Sequence, residues 1–149
     1  MARRVASVSW RGGLFDGSGL IESSGSGAFG ALPVSWAARA ESSDGKTSPE
    51  ELIAAAHASC FAMAFSLLLA EGGTLPEQLD VRATVTFVPG TGITSSQLEV
   101  SGRVPGLSEV AFLAKAEQAK TNCPVSQALK GLEITLSAKL AGAQPAVAA

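Results

Sequence analysis

Cys60 and Cys123 are the two cysteines of this sequence, and His57 is its one histidine. A thiol can act as nucleophile, redox partner or metal ligand, in each case as the thiolate. Cys60 stands in HASCF, among Ala, Phe and Met. Desolvation there raises a thiol pKa and leaves the sulfur inert unless a cation is near. Cys123 opens CPVSQAL, with Pro124 behind it, which suits an N-cap followed by proline at the first helical position. Free N–H groups at that place favour a thiolate, so local physics nominates Cys123 as the nucleophile. The plain reading of either cysteine is a small buried hydrophobe.

His57 and Cys60 stand at i and i+3, so a helix puts them on one face. A Cys–His nucleophile pair is the sharp reading, and a core histidine bonded to a carbonyl is the favoured one. Zinc is excluded, because His57, Cys60 and Cys123 are too few donors and no CxxC is present. Gly25–Gly30 spells G-x-G-x-x-G but precedes Pro33 and a strand, so it offers a phosphate no helix N-terminus. Arg39, in WAARAE, reads either as a solvated arginine paired with Glu41 or as a cation aimed at a thiolate.

These side chains need elements to position them. Strands are expected over Val5–Trp10, Leu14–Glu22 and Pro33–Glu41, with a Gly/Ser loop over Ser23–Leu32. On the third strand, alternation puts Arg39 on a face with Ser35, Ala37 and Glu41. Ser48, Pro49 and Glu51 then form a capping box with proline at its start. A helix follows over 49–71, about 35 Å long at about 1.5 Å per residue, with Gly72 as its C′ stop. Leu79–Val88 and Ile93–Val104 read as an antiparallel hairpin across Pro89–Gly92. Ser108–Lys120 and Pro124–Leu129 are helices, and Leu132–Leu140 is a last strand. Gln144–Ala149 is an Ala/Pro tail expected to fray. The predicted class is α+β, with antiparallel sheets packed around long central helices in one domain over 1–149.

Leu52–Ala70 carries no formally charged residue. That length matches a bilayer span of about 20 residues. His57, Ser59 and Ser66 interrupt it, however, and Glu50, Glu51 and Glu71 flank it where Lys or Arg would anchor a span. A soluble helix apolar on every side must be covered on every side. A chain of 149 residues has few layers to do this, so an interlocked homodimer is expected. With a formal charge of −2 and no basic cluster beyond Arg3–Arg4, nucleic acid is not an expected partner. The N-terminus MARRVASVSWRGG has no apolar signal segment, so a cytoplasmic, reducing setting is expected.

SPEELIAAAHASCFAMAFSLLL, WAARAE and NCPVSQAL together resemble the OsmC/Ohr family, the osmotically inducible and organic hydroperoxide resistance proteins. Ala56-His57 and Val125 are similar to the OsmC branch; the Ohr branch has Gly-Tyr and a later Tyr at these places. The resemblance implies an intertwined α+β homodimer with thiol-dependent peroxidase activity. It implies Cys60 as the peroxidatic cysteine, Cys123 as the resolving one, and Arg39 and Glu50 as the pair that tunes the thiolate. The Ohr branch takes its arginine from the first hairpin, where this chain has Arg11. The implied cycle needs no cofactor, only an organic hydroperoxide and a dithiol or lipoylated-protein reductant. Phe61, Met63, Phe65 and Leu67 suggest an apolar mouth suited to that substrate. Glu50 and Cys60 would lie about 15 Å apart along one helix axis. Glu50, with Arg39 as a second candidate, is therefore expected to reach the thiol of the other subunit. Two alternatives remain: a non-enzymatic dimer that buries an apolar ligand, and a Cys–His hydrolase with His57 as base.

Overall fold

The computed structural model describes residues 1–142. The tail expected to fray lies outside the described residues. The element order is β1 (Ala6–Arg11), β2 (Ser18–Ser24), β3 (Gly30–Val34), α1 (Trp36–Ala40), α2 (Pro49–Glu71), β4 (Gln78–Val88), β5 (Gly92–Arg103), α3 (Glu109–Asn122), α4 (Pro124–Ala128) and β6 (Glu133–Leu140). The strands form two three-stranded sheets, ordered β1-β2-β3 and β4-β5-β6. The α+β class stands.

The chain divides into two compact units. The first is Met1–Leu52 with the hairpin tip Phe87–Gly92; the second is Ile53–Thr86 with the described residues from Ile93 onward. In the first unit, β2 pairs antiparallel with both β1 and β3. The expected strand over Pro33–Glu41 is corrected here: β3 ends at Val34 and Trp36–Ala40 is helix. Ser35 caps it, its Oγ accepting the Ala38 N–H at 3.2 Å. Alanines also favour helix over strand, and a window this short cannot separate the two periods by alternation. Arg39 therefore sits in the last turn of a helix, not on a strand face. The second strand starts later than expected, at Ser18. Gly17 closes the turn before it, its N–H donating to the Gly13 carbonyl at 2.8 Å. A Cβ at Gly17 would stand 2.2 Å from that oxygen, so only glycine fits.

The long helix forms as its caps dictate. Ser48 Oγ accepts the Glu51 N–H at 3.1 Å. Glu51 does not complete the capping box, because its Oε1 accepts from Thr47 Oγ1 at 2.8 Å. At the other end Gly73, not Gly72, takes the left-handed conformation, with φ of 82°. In the second unit, β6 runs parallel to β5, from Ser95↔Glu133 to Gly102↔Leu140. This corrects the expectation of purely antiparallel sheets. The connection passes through α3 and α4, a crossover long enough for a parallel pair.

The core of this unit is built from one stripe of α2. Phe61, Phe65 and Leu69 are fully buried, along with Phe112 of α3 and Leu98 of β5. The Phe65 ring centroid lies 5.6 Å from Phe61 and 5.0 Å from Phe112. Gly102 admits the last ring, since a Cβ there would come within 2.6 Å of it. The opposite stripe of α2 (Ala55, Ser59, Met63 and Leu67) is exposed, with Met63 at 72%. Phe65→Ala is expected to destabilise the fold by about 3–5 kcal/mol, read by denaturant unfolding. Met63→Ala in the same assay is expected to cost far less if the chain is kept as a single copy.

Candidate functional site

The second unit brings the two cysteines together. Cys60 is on α2 and Cys123 is both C-cap of α3 and N-cap of α4. Cys60 is half-buried and Cys123 fully buried. Exposure thus favours Cys60, whereas the local reading had made Cys123 the more reactive thiol. Its backbone N–H donates to Ala119 O at 2.9 Å, and its carbonyl accepts from Gln127 N at 3.0 Å. The helix that Cys123 begins is a single turn and gives its sulfur no side-chain cap bond.

Burial is the first cause that pushes the Cys60 thiol above its ordinary pKa. The backbone N–H of Val125 acts in the opposite sense by donating toward the sulfur. The neighbouring Cys123 side chain raises the pKa further, and Cys60 packs against the cluster to which Cys123 belongs. Within this unit, then, Cys60 is protonated at neutral pH, and ionising it requires further positive charge.

The first unit brings Arg39 and Glu50 together. Arg39 Nε and Nη2 both donate to Glu50 Oε1, at 3.0 and 2.7 Å. The pairing is thus not the parallel two-oxygen fork that arginine often makes with a carboxylate. Oε2 of Glu50 is buried with no protein partner among the described residues. Arg39 Cζ also stands 4.2 Å over the Phe87 ring, a cation–π contact. Glu50 is only 6% exposed, so this carboxylate is out of water and depends on its arginine. Arg39 pairs with Glu50, not with Glu41 as the plain reading had it. Arg11 ends β1 in an exposed position.

His57 is fully buried, and its partners are hydroxyls, not the expected carbonyl. Nδ1 lies 2.7 Å from Ser96 Oγ and Nε2 lies 2.8 Å from Ser126 Oγ. Burial holds its pKa below the usual histidine value, so the ring is neutral at pH 7. The two serines and the Val125 N–H were missed by the sequence reading. Ser96 carried a signal: it shares the inward register of β5 with Leu98 and Val100, an odd place for an unpartnered hydroxyl. Among the described residues, no three His, Cys, Asp or Glu side chains cluster as a metal site would.

The apolar mouth needs correction. Phe61 and Phe65 are core residues and cannot line it. Met63 and Leu67 face an open groove of about 650 Å³ that Pro76 and Leu79 also border.

Comparison with known proteins places this architecture. The OsmC-like protein family model matches residues 42–137. The chain is 42% identical over 134 residues to Peroxiredoxin OsmC of Escherichia coli (strain K12), covering 88% of this chain and 92% of that one. The Shigella flexneri protein of the same name matches equally. Among solved structures, an organic hydroperoxide resistance protein OsmC from Legionella pneumophila superposes with a TM-score of 0.63 at 22% identity, covering 91% of this chain and 96% of that one. The organic hydroperoxide resistance protein OhrB of Bacillus subtilis does so with a TM-score of 0.62 at 23% identity, covering 91% and 97%. At these identities the two structures establish the fold.

The buried histidine makes stability depend on pH with a defined sign. Its folded pKa is depressed, so the unfolded chain takes up the proton first. The stabilisation is complete above an unfolded pKa of about 6.5 and is lost as pH falls below it. Denaturant titrations of the native chain and His57→Gln should therefore diverge as pH falls from about 7 to about 5. The native chain should lose more, by at most about 1.4 kcal/mol per pH unit. Parallel curves would show a histidine that keeps its ordinary pKa.

Proposed function

We infer that this chain, which belongs to the OsmC-like protein family, is a thiol-dependent peroxidase acting in peroxide resistance. The observation that carries this reading is that a half-buried Cys60 has a fully buried Cys123 as its neighbour. One thiol is reachable by a small oxidant and the other is held beside it, shielded from that oxidant. The name Peroxiredoxin OsmC borne by relatives at 42% identity supports the same chemistry.

The steps follow from the thiols. The Cys60 thiolate attacks the distal oxygen of a hydroperoxide and the O–O bond breaks. The alkoxide takes up a proton and leaves as alcohol, while Cys60 becomes a sulfenic acid. The Cys123 sulfur then attacks the Cys60 sulfur, water leaves, and a Cys60–Cys123 disulfide forms. An external dithiol or lipoylated protein reduces it by exchange, giving back both electrons and protons. No resident cofactor is required, because the thiolate supplies the electron pair. A reducing cytoplasm, where such dithiols are kept reduced, suits this cycle.

The thiolate must be compensated, and we assign that role to Arg39, with Glu50 holding its guanidinium. The pair forms within one chain, so the two side chains act as one group whichever subunit's thiol they serve. Met63 and Leu67 favour alkyl hydroperoxides, since apolar surface removed from water is worth about 25 cal/mol per Å². They also argue for a homodimer. A second copy laid on the exposed stripe of α2 covers side chains that are too apolar to face water. By length and composition α2 would also suit a bilayer, but its inner stripe packs a protein core around His57 and three large apolar residues.

Stopped-flow mixing of the reduced protein with cumene hydroperoxide tests the cycle. Two thiols per chain should be lost, with a mass change of only two hydrogens. Cys60→Ser should abolish turnover. Cys123→Ser should turn over once and accumulate sulfinic acid at Cys60. Arg39→Met should raise the Cys60 thiol pKa and slow the first step by at least about tenfold, one pKa unit being about 1.4 kcal/mol. An unchanged thiol pKa would remove Arg39 from the assignment, and equal efficiency with hydrogen peroxide would remove the alkyl preference. Light scattering should find dimers that Leu67→Glu converts to monomers. A native monomer carrying bound lipid would support an apolar-ligand carrier instead.

A further inference from the structure

His57 lies outside the cycle just described, yet it is the most heavily constrained polar side chain beside it. It is fully buried, and each ring nitrogen has a hydroxyl partner within 2.8 Å. The partners come from different elements: Ser96 from β5 and Ser126 from α4. A neutral imidazole donates from one nitrogen and accepts at the other, so one serine donates to the ring and the other accepts from it. Ser126 is 6% exposed. The His57–Ser126 contact thus has the spacing of a base and nucleophile but no room for a substrate, so it reads as a structural bond.

The neighbours of each end matter more. His57 precedes Cys60 by one helical turn on α2. Ser126 follows Val125, whose N–H donates toward the Cys60 sulfur, and both belong to the turn that Cys123 starts. That turn is five residues long and its N-cap makes no side-chain bond. So short a helix has little stability of its own. The bond from His57 to Ser126 ties it to α2, and the bond to Ser96 fixes the ring.

We propose that His57 is a positioning residue for disulfide closure: through Ser126 it holds the α4 turn against α2, which keeps Cys123 beside the Cys60 sulfur. The latch deepens the peroxidase reading and rests on it for its purpose. Its geometry concerns only the approach of two thiols. Closure is the step most sensitive to the latch, because the two sulfurs must align before a bond forms, whereas a hydroperoxide reaches Cys60 by diffusion.

Amide replacements separate the two arms. Glutamine at 57 sets an amide near the place of Nε2, toward Ser126. Asparagine sets one near the place of Nδ1, toward Ser96. The rate of Cys60 oxidation and the rate of Cys60–Cys123 closure are read in single turnovers with cumene hydroperoxide, with sulfinic acid followed by mass. His57→Asn and Ser126→Ala should slow closure roughly five- to tenfold, the worth of one hydrogen bond, and raise sulfinic acid. Cys60 oxidation should change by less than about twofold, and His57→Gln should restore most of the closure rate. A structural role alone would lower the melting temperature and affect both steps and both amides alike, and that result would overturn the proposal. Closure driven by diamide repeats the comparison without a peroxide. If the native chain ignores hydroperoxides yet shows the same pattern in diamide, the peroxidase reading fails and the latch stands. If the variants close as fast as the native chain in diamide, the latch fails.

Discussion

A sulfur taken out of water resists losing its proton, and the surroundings of Cys60 are organised around that cost. Burial raises its pKa, and the thiol of Cys123 beside it raises it further. The Val125 N–H is the one opposing group within the same unit. A single neutral donor does not outweigh desolvation, so the fold needs a charge to make this thiol a nucleophile. The side chain best suited is a guanidinium already held in place, since a free one would spend entropy on being fixed. Arg39 meets that description, with two donors on one carboxylate oxygen and a phenylalanine ring beneath it. Oε2 of Glu50 is buried with no protein partner among the described residues, so the arginine at Oε1 is what compensates this carboxylate there.

The second constraint is the apolar character of α2. Its inward stripe, His57, Phe61, Phe65 and Leu69, is fully buried against α3 and β5. The outward stripe is nearly as apolar, so this helix has no polar face on which to stop burying itself. A helix of this kind belongs in the middle of an assembly. The exposed Val8 and Trp10 of β1 point the same way, because no core forms beneath that strand within the single chain. The proposed homodimer would complete the cover of this helix.

Much of this was legible in the sequence, for identifiable reasons. The long helix announced itself through Ser48, Pro49 and an uninterrupted apolar run, and the hairpin of β4 and β5 through clean alternation. Both signals are local and strong. The helix Trp36–Ala40 was not legible, because small residues in a five-residue window satisfy either period until Ser35 is seen to cap it. The parallel pairing of β6 depends on a crossover, which no local pattern encodes. At the site, residue types were readable and exposures were not. Cys60 lay in an apolar run and looked inert, while Cys123 headed a helix and looked the more reactive. Tertiary packing leaves Cys60 half-buried and buries Cys123 fully. Ser96 and Ser126 stand far from His57 in sequence, so their bonds to it could be found only in space.

The unequal burial of the two cysteines has chemical logic. A resolving thiol that met peroxide directly would be oxidised in its own right and lost to the cycle. Burial protects Cys123 by excluding the oxidant. In the proposed cycle it need only react with a sulfenic sulfur held beside it, where proximity favours the step. Cys60 carries the opposite combination, being reachable by the oxidant but dependent on outside charge for its activation. In the proposed cycle each cysteine's burial suits its own step, Cys60 being half-buried and Cys123 fully buried. On the proposed latch, what holds the two sulfurs together is the packing of one short turn against one long helix.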